Sequence, residues 1–301
     1  MIIVENLYFS YKDDEILQNL NFRVNSGKWI SIIGGNGSGK STLARILVGL
    51  LPIQKGRVII DNIALTEENL FLLRSRIGII FQNPDYQFIG CDVKHDIAFG
   101  LENQNLSREE MQKKIFNIAK KLNILHLLDC NPQELSGGQK QLVAIASVLV
   151  MDPQIIIFDE PTSFLDPQGT KEVNNIIKDI HRTDNKILII ITHDWEFAFQ
   201  SDEIIFLQKG NLLKQDTPVN FMKDEIFLKN NFINLPLSLK LYYQLQQDFN
   251  QLQNPPIILS WSMWASYERL CLVKEDTSSR ILLAYYGAGF YSFCTEMSSM
   301  S

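Results

Sequence analysis

A glycine-rich run of nine residues has the spacing of a phosphate-binding loop. It comprises Gly34, Gly35, Asn36, Gly37, Ser38, Gly39, Lys40, Ser41 and Thr42, and it fits the pattern G-x-x-x-x-G-K-[ST]. The glycines allow the backbone to turn tightly with its N–H groups directed at a phosphate, and a helix beginning near Lys40 adds the positive end of its dipole. In such a loop the lysine contacts the β- and γ-phosphates, and the Ser41 hydroxyl can ligate Mg²⁺. The spacing therefore predicts a site for a nucleoside triphosphate.

Two consecutive carboxylates, Asp159 and Glu160, follow a continuous apolar run at residues 155–158. This profile is typical of a central parallel strand whose carboxyl end faces a ligand. A charge buried there is costly unless a cation or hydrogen bonds compensate it. Asp159 can hold Mg²⁺ through its water shell, and Glu160 can orient or deprotonate an attacking water. Two solvated acids at a strand end are the alternative, which the glycine loop upstream disfavours.

Two further polar side chains follow apolar runs in the same way. Gln82 comes after residues 77–81, and His193 comes shortly after residues 187–191. At a phosphate site the glutamine can contact Mg²⁺ and the attacking water, and the histidine can sense the γ-phosphate. Each signal is weak alone, because exposed glutamines and lone histidines are usually solvated. The prediction therefore depends on the layout that they share with Glu160.

A second candidate anion site lies in the sequence LSGGQ at residues 135–139, whose last four residues are Ser136, Gly137, Gly138 and Gln139. Ser136 is a good N-cap for the apolar helix that follows, and the two glycines expose backbone N–H groups toward which the helix dipole points. A capped helix with a loose turn is the alternative for this pentapeptide.

The elements that must position these residues indicate an α/β fold. Residues 2–9 and 20–25 predict two strands that form an antiparallel flap, joined by a polar turn at residues 12–15. Tyr11, just before that turn, can stack on an adenine ring or simply pack at the strand end. A helical insertion is predicted for residues 93–149, where apolar residues recur at helical spacing at Met111, Ile115, Ile118, Leu122 and Leu125.

Composition and charge limit the classes of function. The chain of 301 residues carries a formal net charge of −6, so an obligatory nucleic-acid partner is disfavoured. No apolar run approaches the ~18 residues of a membrane-spanning helix, and the first residues lack the pattern of a signal peptide, which predicts a cytosolic polypeptide. Scattered cysteines favour reduced packing residues over a metal site or disulfides; they are Cys91, Cys130, Cys271 and Cys294.

Together, these motifs resemble those of the ATP-binding cassette (ABC) ATPases over residues 1–220. The landmarks occur in the family's order: the adenine-stacking aromatic Tyr11, the Walker A loop, the Q-loop glutamine Gln82, the signature sequence, the Walker B strand, the D-loop aspartate Asp166 and the switch histidine His193. The resemblance implies a P-loop NTPase (RecA-like) core with an antiparallel β flap and a helical subdomain at residues 93–150. It also implies that the chain binds ATP and Mg²⁺.

The resemblance further implies two subunits that meet head to tail. Each ATP then lies between the glycine loop of one subunit and the signature sequence of the other, so Ser136 and Gly138 act in trans. ATP closes the pair, and hydrolysis through Glu160, Mg²⁺ and His193 reopens it. The second subunit is either a paralogue or another copy of this chain.

A finer resemblance is to the ATPases of energy-coupling factor (ECF) transporters for vitamins and metal ions. It rests on residues 81–90, 96–103 and 162–167. The run Asn-Pro-Asp-x-Gln-Phe within the first of these segments resembles the first of the group's two paralogous ATPases. Residues 235–240 resemble a C-terminal extension that helps to hold the ATPase pair together, which predicts a small helical extension at residues 221–253.

Other features fall outside that resemblance. Leu142 stands where the group usually has an arginine after the signature, and residues 254–301 resemble nothing in the group. We hypothesise that this tail is a frameshifted or degraded end that does not pack. Within the predicted extension, an apolar stripe either joins the ATPase pair or packs on the chain's own core; it consists of Leu241, Leu245, Phe249 and Leu252.

The resemblance implies an ATP-hydrolysing subunit that powers uptake of a micronutrient. Its expected partners are a second ATPase subunit, a transmembrane coupling protein and a substrate-binding membrane protein, which place it at the cytoplasmic face of the cell membrane. We expect the coupling protein to contact residues 85–90, named the docking segment, so that membrane motion and Gln82 move together. The alternatives are a motor for cobalt, nickel or another importer, and a non-transport ATP switch, which the single cassette, the lack of heptads and the negative charge disfavour.

Overall fold

A computed structural model describes residues 1–104, 106–231, 270–274 and 281–285. Residue contacts divide the chain into two units, Met1–Pro218 and Val219–Ser301. The larger unit begins with β1 (Ile2–Tyr11), β2 (Asp14–Val24), β3 (Trp29–Gly34), α1 (Lys40–Leu47), β4 (Lys55–Ile60), β5 (Ile63–Ala64), α2 (Leu70–Arg74), β6 (Ile77–Ile80) and α3 (Val93–Phe99). It continues with α4 (Arg108–Lys121), α5 (Gly137–Leu149), β7 (Ile155–Asp159), α6 (Pro167–Thr183), β8 (Ile187–Ile191), α7 (Trp195–Ala198), β9 (Glu203–Gln208) and β10 (Asn211–Asp216).

Six strands of the larger unit form one sheet, in the order β10-β9-β3-β8-β7-β6. All neighbouring strands run parallel except the edge pair β10 and β9. Ile32 of β3 pairs with Ile191 of β8, and Ile191 pairs with Asp159 of β7. The carboxyl ends of these three strands therefore meet at one edge, where ligands bind in open α/β sheets.

The two faces of this sheet carry separate apolar cores. Ile155 and Ile157 belong to a cluster that also contains residues of β1, β2, β4 and α1. Ile156 and Phe158 belong to a second cluster with residues of α3, α4, α5 and α6. Successive side chains of a strand point to opposite faces, so β7 must be apolar at each of these positions. Packing on both faces fixes the strand that ends in Asp159.

The predicted flap is a second sheet, antiparallel, with the strand order β2-β1-β4-β5. Its turn is shorter than the sequence indicates, because Tyr11 already pairs with Asp14 and only Lys12 and Asp13 form the loop. Lys12 has a φ of +53°, which suits the tight turns of two-residue hairpins. The prediction that the second strand starts at residue 20 is therefore wrong.

The insertion between β6 and β7 is helical, as predicted, and contains α3, α4 and α5. Helix α4 begins at a capping box, in which Ser107 and Glu110 each bond the other's backbone. It ends at Lys121, and Leu125 lies in a separate 3₁₀ turn after Asn123, whose φ is +57°. The helical spacing of apolar residues therefore continues past the end of α4, and Leu125 does not belong to that helix. Within the described ranges, no helix has the length and apolar character needed to cross a membrane.

Two cysteines of the larger unit are described, and both are free thiols. Cys130 is partly buried, but Cys91 is exposed in the loop before α3, so the prediction of a packing residue is wrong for Cys91. The Cys91 sulfur lies within 4.8 Å of polar atoms on Asp92 and His95.

The smaller unit contains short elements that are described separately. Helices α8 (Pro218–Lys223), which starts at the boundary, and α9 (Glu225–Asn230) are followed by the antiparallel pair β11 (Leu270–Lys274) and β12 (Ile281–Tyr285). Residues 235–240 and the apolar stripe at residues 241–252 lie outside the described residues, as does most of the segment 254–301. The C-terminal extension at residues 221–253 and the unpacked tail remain predictions.

Replacing Ile157 by Ala tests the sheet core. The side chain is fully buried in the cluster that β7 forms with the flap and α1, so its truncation is expected to lower the free energy of unfolding by about 2–5 kcal/mol. Phe71→Ala, which removes a side chain that is 84% exposed, is the control and is expected to change that energy by no more than about 0.5 kcal/mol. Denaturant unfolding measures both, and equal effects would contradict the assigned core.

Candidate functional site

The glycine-rich loop connects β3 to α1 and is open on one side. Gly37 and Gly39 have φ angles of +75° and +98°, a conformation that favours glycine. A Cβ on Gly39 would lie 2.5 Å from Leu17, whereas a Cβ on Gly35 or Gly37 would meet no atom within 4 Å. The loop is thus packed against the flap on one side and leaves room for a ligand on the other.

The Lys40 side chain folds back over this loop. Its Nζ donates to the carbonyl oxygens of Gly34 at 2.8 Å and Gly35 at 3.0 Å, and the residue is only 6% exposed. Burial lowers the pKa of the ammonium group, and the charges of Glu160 and Asp159 oppose that shift. The loop therefore holds a buried cation, for which a phosphate is a suitable counter-charge.

Helix α1 begins with unsatisfied donors. It has no side-chain cap and no acidic residue in its first turn, although Asp or Ser side chains cap α3, α4, α5 and α6. The first N–H groups of a helix have no intrahelical acceptor. The buried Ser38 Oγ likewise has no hydrogen-bond partner. Together with the Lys40 ammonium, these groups fit a bound polyphosphate.

Ser41 and Asp159 meet next to the loop. The Ser41 hydroxyl donates to Asp159 Oδ1 at 2.9 Å, and Asp159 is 5% exposed. Burial raises the pKa of the Asp159 carboxyl and the Glu160 charge adds to the increase, whereas the Ser41 hydrogen bond and the charges of Arg45 and Lys40 lower it. A hydroxyl and a carboxylate side by side are hard oxygen donors, so this pair fits Mg²⁺.

The Glu160 carboxylate joins three loops. Its Oε2 accepts hydrogen bonds from Ser163 Oγ at 2.8 Å and from Gln82 Nε2 at 3.1 Å. His193 Nδ1 lies 3.7 Å from the same oxygen. Glu160 itself has a φ of +49°, and its N–H donates to the Ile191 carbonyl oxygen at 3.0 Å. A non-glycine residue in this conformation is strained, and such strain occurs often at functional sites.

The structure therefore brings together most of the residues predicted at the sheet edge. A series of contacts that starts at Ser41 connects Asp159, Glu160, Gln82 and His193. The Glu160 side chain is 16% exposed and that of His193 is 69% exposed. The histidine side chain is thus accessible to a ligand, while the glutamate side chain is largely buried and held by its hydrogen bonds to Ser163 and Gln82.

The signature residues make no hydrogen bond to this group within the described part of the chain. Ser136 and Gln139 form a capping box at the start of α5, in which Ser136 N donates to Gln139 Oε1 at 2.9 Å and Gln139 N to Ser136 Oγ at 3.3 Å. A Cβ on Gly138 would meet no atom within 4 Å, so this surface is open. No hydrogen bond among the described residues joins the capping box to the loop at residues 34–42. Leu142, farther along α5, is buried in an apolar cluster, which explains how an apolar residue is tolerated there.

Other predicted residues make local contacts. Asp166 Oδ1 accepts from Gly169 N at 2.7 Å and caps α6. Tyr11 is exposed, with its ring edge-on to Phe9 at 4.9 Å between centroids. Asn36 is exposed. These contacts neither require nor exclude a nucleotide, so the binding roles of these residues remain predictions.

Two residues of the site are not marked as site residues by sequence reasoning. Ser163 enters only within the D-loop resemblance, yet it bonds Glu160 directly. Its position three residues after Glu160 is the available signal, since the Ser163 N–H closes a turn on the Glu160 carbonyl oxygen. Arg45, one turn into α1, influences the Asp159 carboxyl through its charge, and no spacing rule marks it.

Comparison with known proteins agrees with this geometry. A profile described as ABC transporter matches residues 17–163. The energy-coupling factor transporter ATP-binding protein EcfA of Onion yellows phytoplasma (strain OY-M) is 58% identical over 248 residues, which cover 82% of this chain and 90% of that protein. EcfA1 of Mycoplasmopsis synoviae (strain 53) is 46% identical, covering 80% of this chain and 92% of its own.

A solved structure gives the same result. The structure of cbiO1 from Clostridium perfringens, described as part of the ABC transporter complex cbiONQ, has a TM-score of 0.69 and 34% identity, and the match covers 80% of this chain and 98% of that one. The resemblance inferred from the motifs is thereby confirmed, as is the α/β fold. The chain belongs to the ABC transporter family, among the energy-coupling factor transporter ATP-binding proteins.

Proposed function

We propose that the chain is the ATP-hydrolysing subunit of an ECF-type importer for vitamins or other micronutrients. The observation that carries the proposal is the Glu160 carboxylate, held by Ser163 and Gln82 beside the Ser41–Asp159 pair. A carboxylate fixed next to a site for phosphate and Mg²⁺ is placed to orient a water for in-line attack. The names of the relatives support the same activity.

Each residue of the site has its own role in binding the nucleotide or in hydrolysis. The Lys40 ammonium and the N–H groups at the start of α1 bind the phosphates, and Ser41 and Asp159 hold Mg²⁺, which neutralises charge on the transferring phosphoryl group when bound. Because Glu160 Oε2 is used by Ser163 and Gln82, Oε1 is the atom that receives the proton of the attacking water. His193 senses the γ-phosphate from the exposed side of Glu160. Positioning of this kind lowers the barrier without covalent chemistry.

A complete site needs a second ATPase subunit. Ser136 and Gly138 lie on an open surface, with no hydrogen bond to the loop at residues 34–42 within the described part of the chain. A helix start of this kind binds an anion supplied from outside. We therefore assign Ser136 and Gly138 to the ATP of a partner subunit, with Gly137, Gln139 and Asp166 at the same interface, while Tyr11 stacks on the adenine.

The assignment of membrane partners rests on the relatives, which are named as transporter ATP-binding proteins, and on cbiO1, which is described as part of a transporter complex. We assign the contact with a transmembrane coupling protein to the docking segment, where Tyr86 is 83% exposed and Ile89 is also exposed. A substrate-binding membrane protein completes the assembly. The chain then works as a peripheral subunit at the cytoplasmic face of the membrane.

The Glu160→Gln variant tests the proposed catalytic role. The amide keeps the shape of the side chain but cannot accept a proton, so ATP is expected to bind and hold the subunits together while kcat falls by about 10²–10⁴-fold. Lys40→Ala is the matched variant and is expected to lose nucleotide binding itself. Equilibrium ATP binding, size-exclusion chromatography and phosphate release measure these effects. Rapid hydrolysis by Glu160→Gln would refute the assigned base.

Ser163→Ala tests whether this hydroxyl positions Glu160. Loss of one hydrogen bond to the carboxylate is expected to lower kcat by about tenfold and to leave the KM for ATP unchanged, because Ser163 contacts no group assigned to the phosphates. Ser163→Thr keeps the hydroxyl and is expected to retain most of the activity. A fall in the affinity for ATP with an unchanged kcat would contradict the positioning role.

Asp159→Asn tests the electrostatics of the Mg²⁺ pair. Burial raises the pKa of the Asp159 carboxyl above its ordinary value of 3.8. The carboxyl proton is therefore bound more tightly in the folded chain than in the unfolded chain. The stability that this protonated carboxyl contributes is thus complete below a pH of about 3.8, and it is lost as the pH rises through the pKa of Asp159 in the folded chain. Without ligands, the neutral variant is expected to be more stable than wild type at neutral pH, and the difference is expected to vanish at acidic pH.

Thermal unfolding with and without Mg²⁺ and ATP measures this prediction. The same Asp159→Asn variant is expected to gain less stability than wild type from Mg²⁺ with ATP, since it has lost a ligand oxygen with full charge. Asp129→Asn changes an exposed carboxylate and serves as the control. Equal melting temperatures for wild type and Asp159→Asn at neutral pH would contradict the cost assigned to the buried carboxylate.

A further inference from the structure

Three contacts fasten the docking segment to helix α5. In the first, Lys140 Nζ donates to Asp85 Oδ1 at 2.8 Å. In the second, Gln87 Nε2 donates to the carbonyl oxygen of Ala144 at 2.9 Å. Both contacts run from the docking segment to the helix that starts with the signature residues.

Asp96 makes the third contact. Its Oδ1 accepts the backbone N–H groups of Ile89 at 2.8 Å and Gly90 at 3.0 Å, and its Oδ2 lies 3.0 Å from Ser147 Oγ. Ser147 Oγ is also 3.0 Å from the Val143 carbonyl oxygen, but the charged carboxylate is the stronger acceptor. A Cβ on Gly90 would lie 2.4 Å from Asp96 N, so the glycine permits the close approach. Asp96 is 5% exposed, and a buried carboxylate of this kind depends on its donors.

The three contact points lie on one face of the helix. Lys140, Ala144 and Ser147 are separated by four and three residues, the spacing of neighbours along a helix face, and they span about 10 Å of its axis. The docking segment runs along this face in the direction of the helix. Toward the sheet edge the segment continues through residues 83–84 to Gln82, whose side chain donates to the Glu160 carboxylate.

We propose that Asp96 is a positioning residue that makes the docking segment and α5 move as one body. The first turn of α5 carries Ser136 and Gly138, so a membrane partner that shifts the docking segment acts on the signature sequence and thereby on the ATP held by the other subunit. Gln82, which the chain joins to the docking segment through residues 83–84, contacts its own ATP site through one hydrogen bond to the Glu160 carboxylate. The inference rests on the proposed function, because it assumes a partner at residues 85–90 and a second subunit at the signature.

Asp96→Ala and Ser147→Ala test this coupling. The measurement is ATP hydrolysis by the purified ATPase pair alone and by the same pair with its co-purified membrane proteins in lipid vesicles. Basal kcat and the KM for ATP are expected to stay within about twofold of wild type in both variants. The stimulation by the membrane proteins is expected to fall by about tenfold in Ser147→Ala, which loses one charge-assisted hydrogen bond, and by more in Asp96→Ala, which loses three. Asp129→Ala, in the same helical insertion and exposed, is the control.

Stimulation that equals wild type in both variants would overturn the inference. If wild type itself shows no hydrolysis that depends on the membrane proteins, the proposed function fails instead, so the two failures are distinguishable. Hydrogen exchange on the purified chain adds a readout that needs no partner. The N–H groups of Ile89 and Gly90 are expected to lose protection in Asp96→Ala, and unchanged protection would contradict the contact itself.

A cross-link tests whether the docking segment and α5 move together, and it leaves Asp96 unchanged. Asp85→Cys and Lys140→Cys are combined in a chain whose native cysteines are replaced by serine, and a short bifunctional thiol reagent joins them. The double variant has lost one contact, so its stimulation is expected to be reduced, and the cross-link is expected to restore it. Loss of stimulation on cross-linking would show that the docking segment must move relative to α5, which overturns the inference.

Discussion

Burial of charge at the carboxyl edge of the parallel sheet is the constraint on which the rest of the structure depends. Lys40 and Asp159 are both almost inaccessible to water, and a buried charge without polar partners is costly. The loop carbonyls stabilise the ammonium, and the Ser41 hydroxyl stabilises the carboxylate. These partners stay within hydrogen-bond distance only if β3 and β7 keep their register, which β8 sets by pairing with both. The apolar cores on the two faces of the sheet hold that register.

The same constraint gives Glu160 its unusual backbone. The residue directly follows the last position of β7, and its N–H still bonds to β8. With a left-handed backbone, its side chain meets Ser163, Gln82 and His193, which come from three separate loops. Backbone strain at this residue is thus compensated by hydrogen bonds with the nearby Ser163 and with Gln82 and Ile191, which are distant in sequence.

Helix α5 both packs in the core and carries residues of the proposed interfaces. Its apolar residues complete the core on one face of the sheet, while its first turn presents the signature residues and one side carries the docking segment. In the coupling that we propose, a force on the docking segment reaches the signature residues through this helix. Replacement of the usual arginine by Leu142 is accommodated within the apolar side of the same helix.

The sequence by itself determined the phosphate loop, the buried strands and the polar residues at their ends, because glycine spacing, continuous apolar runs and strand-end acids are local signals. It also predicted that Gln82, Glu160 and His193 share one edge of a sheet. Only the tertiary structure decided which atoms meet: Ser163 on Glu160, Ser41 on Asp159, and Asp96 between the docking segment and α5. It also decided that β2 starts at Asp14 and that α4 stops before Leu125. The contact of Ser163 is local and depends on the left-handed backbone of Glu160. The other features depend on contacts between distant segments or on single backbone angles, which no local pattern of residue types encodes.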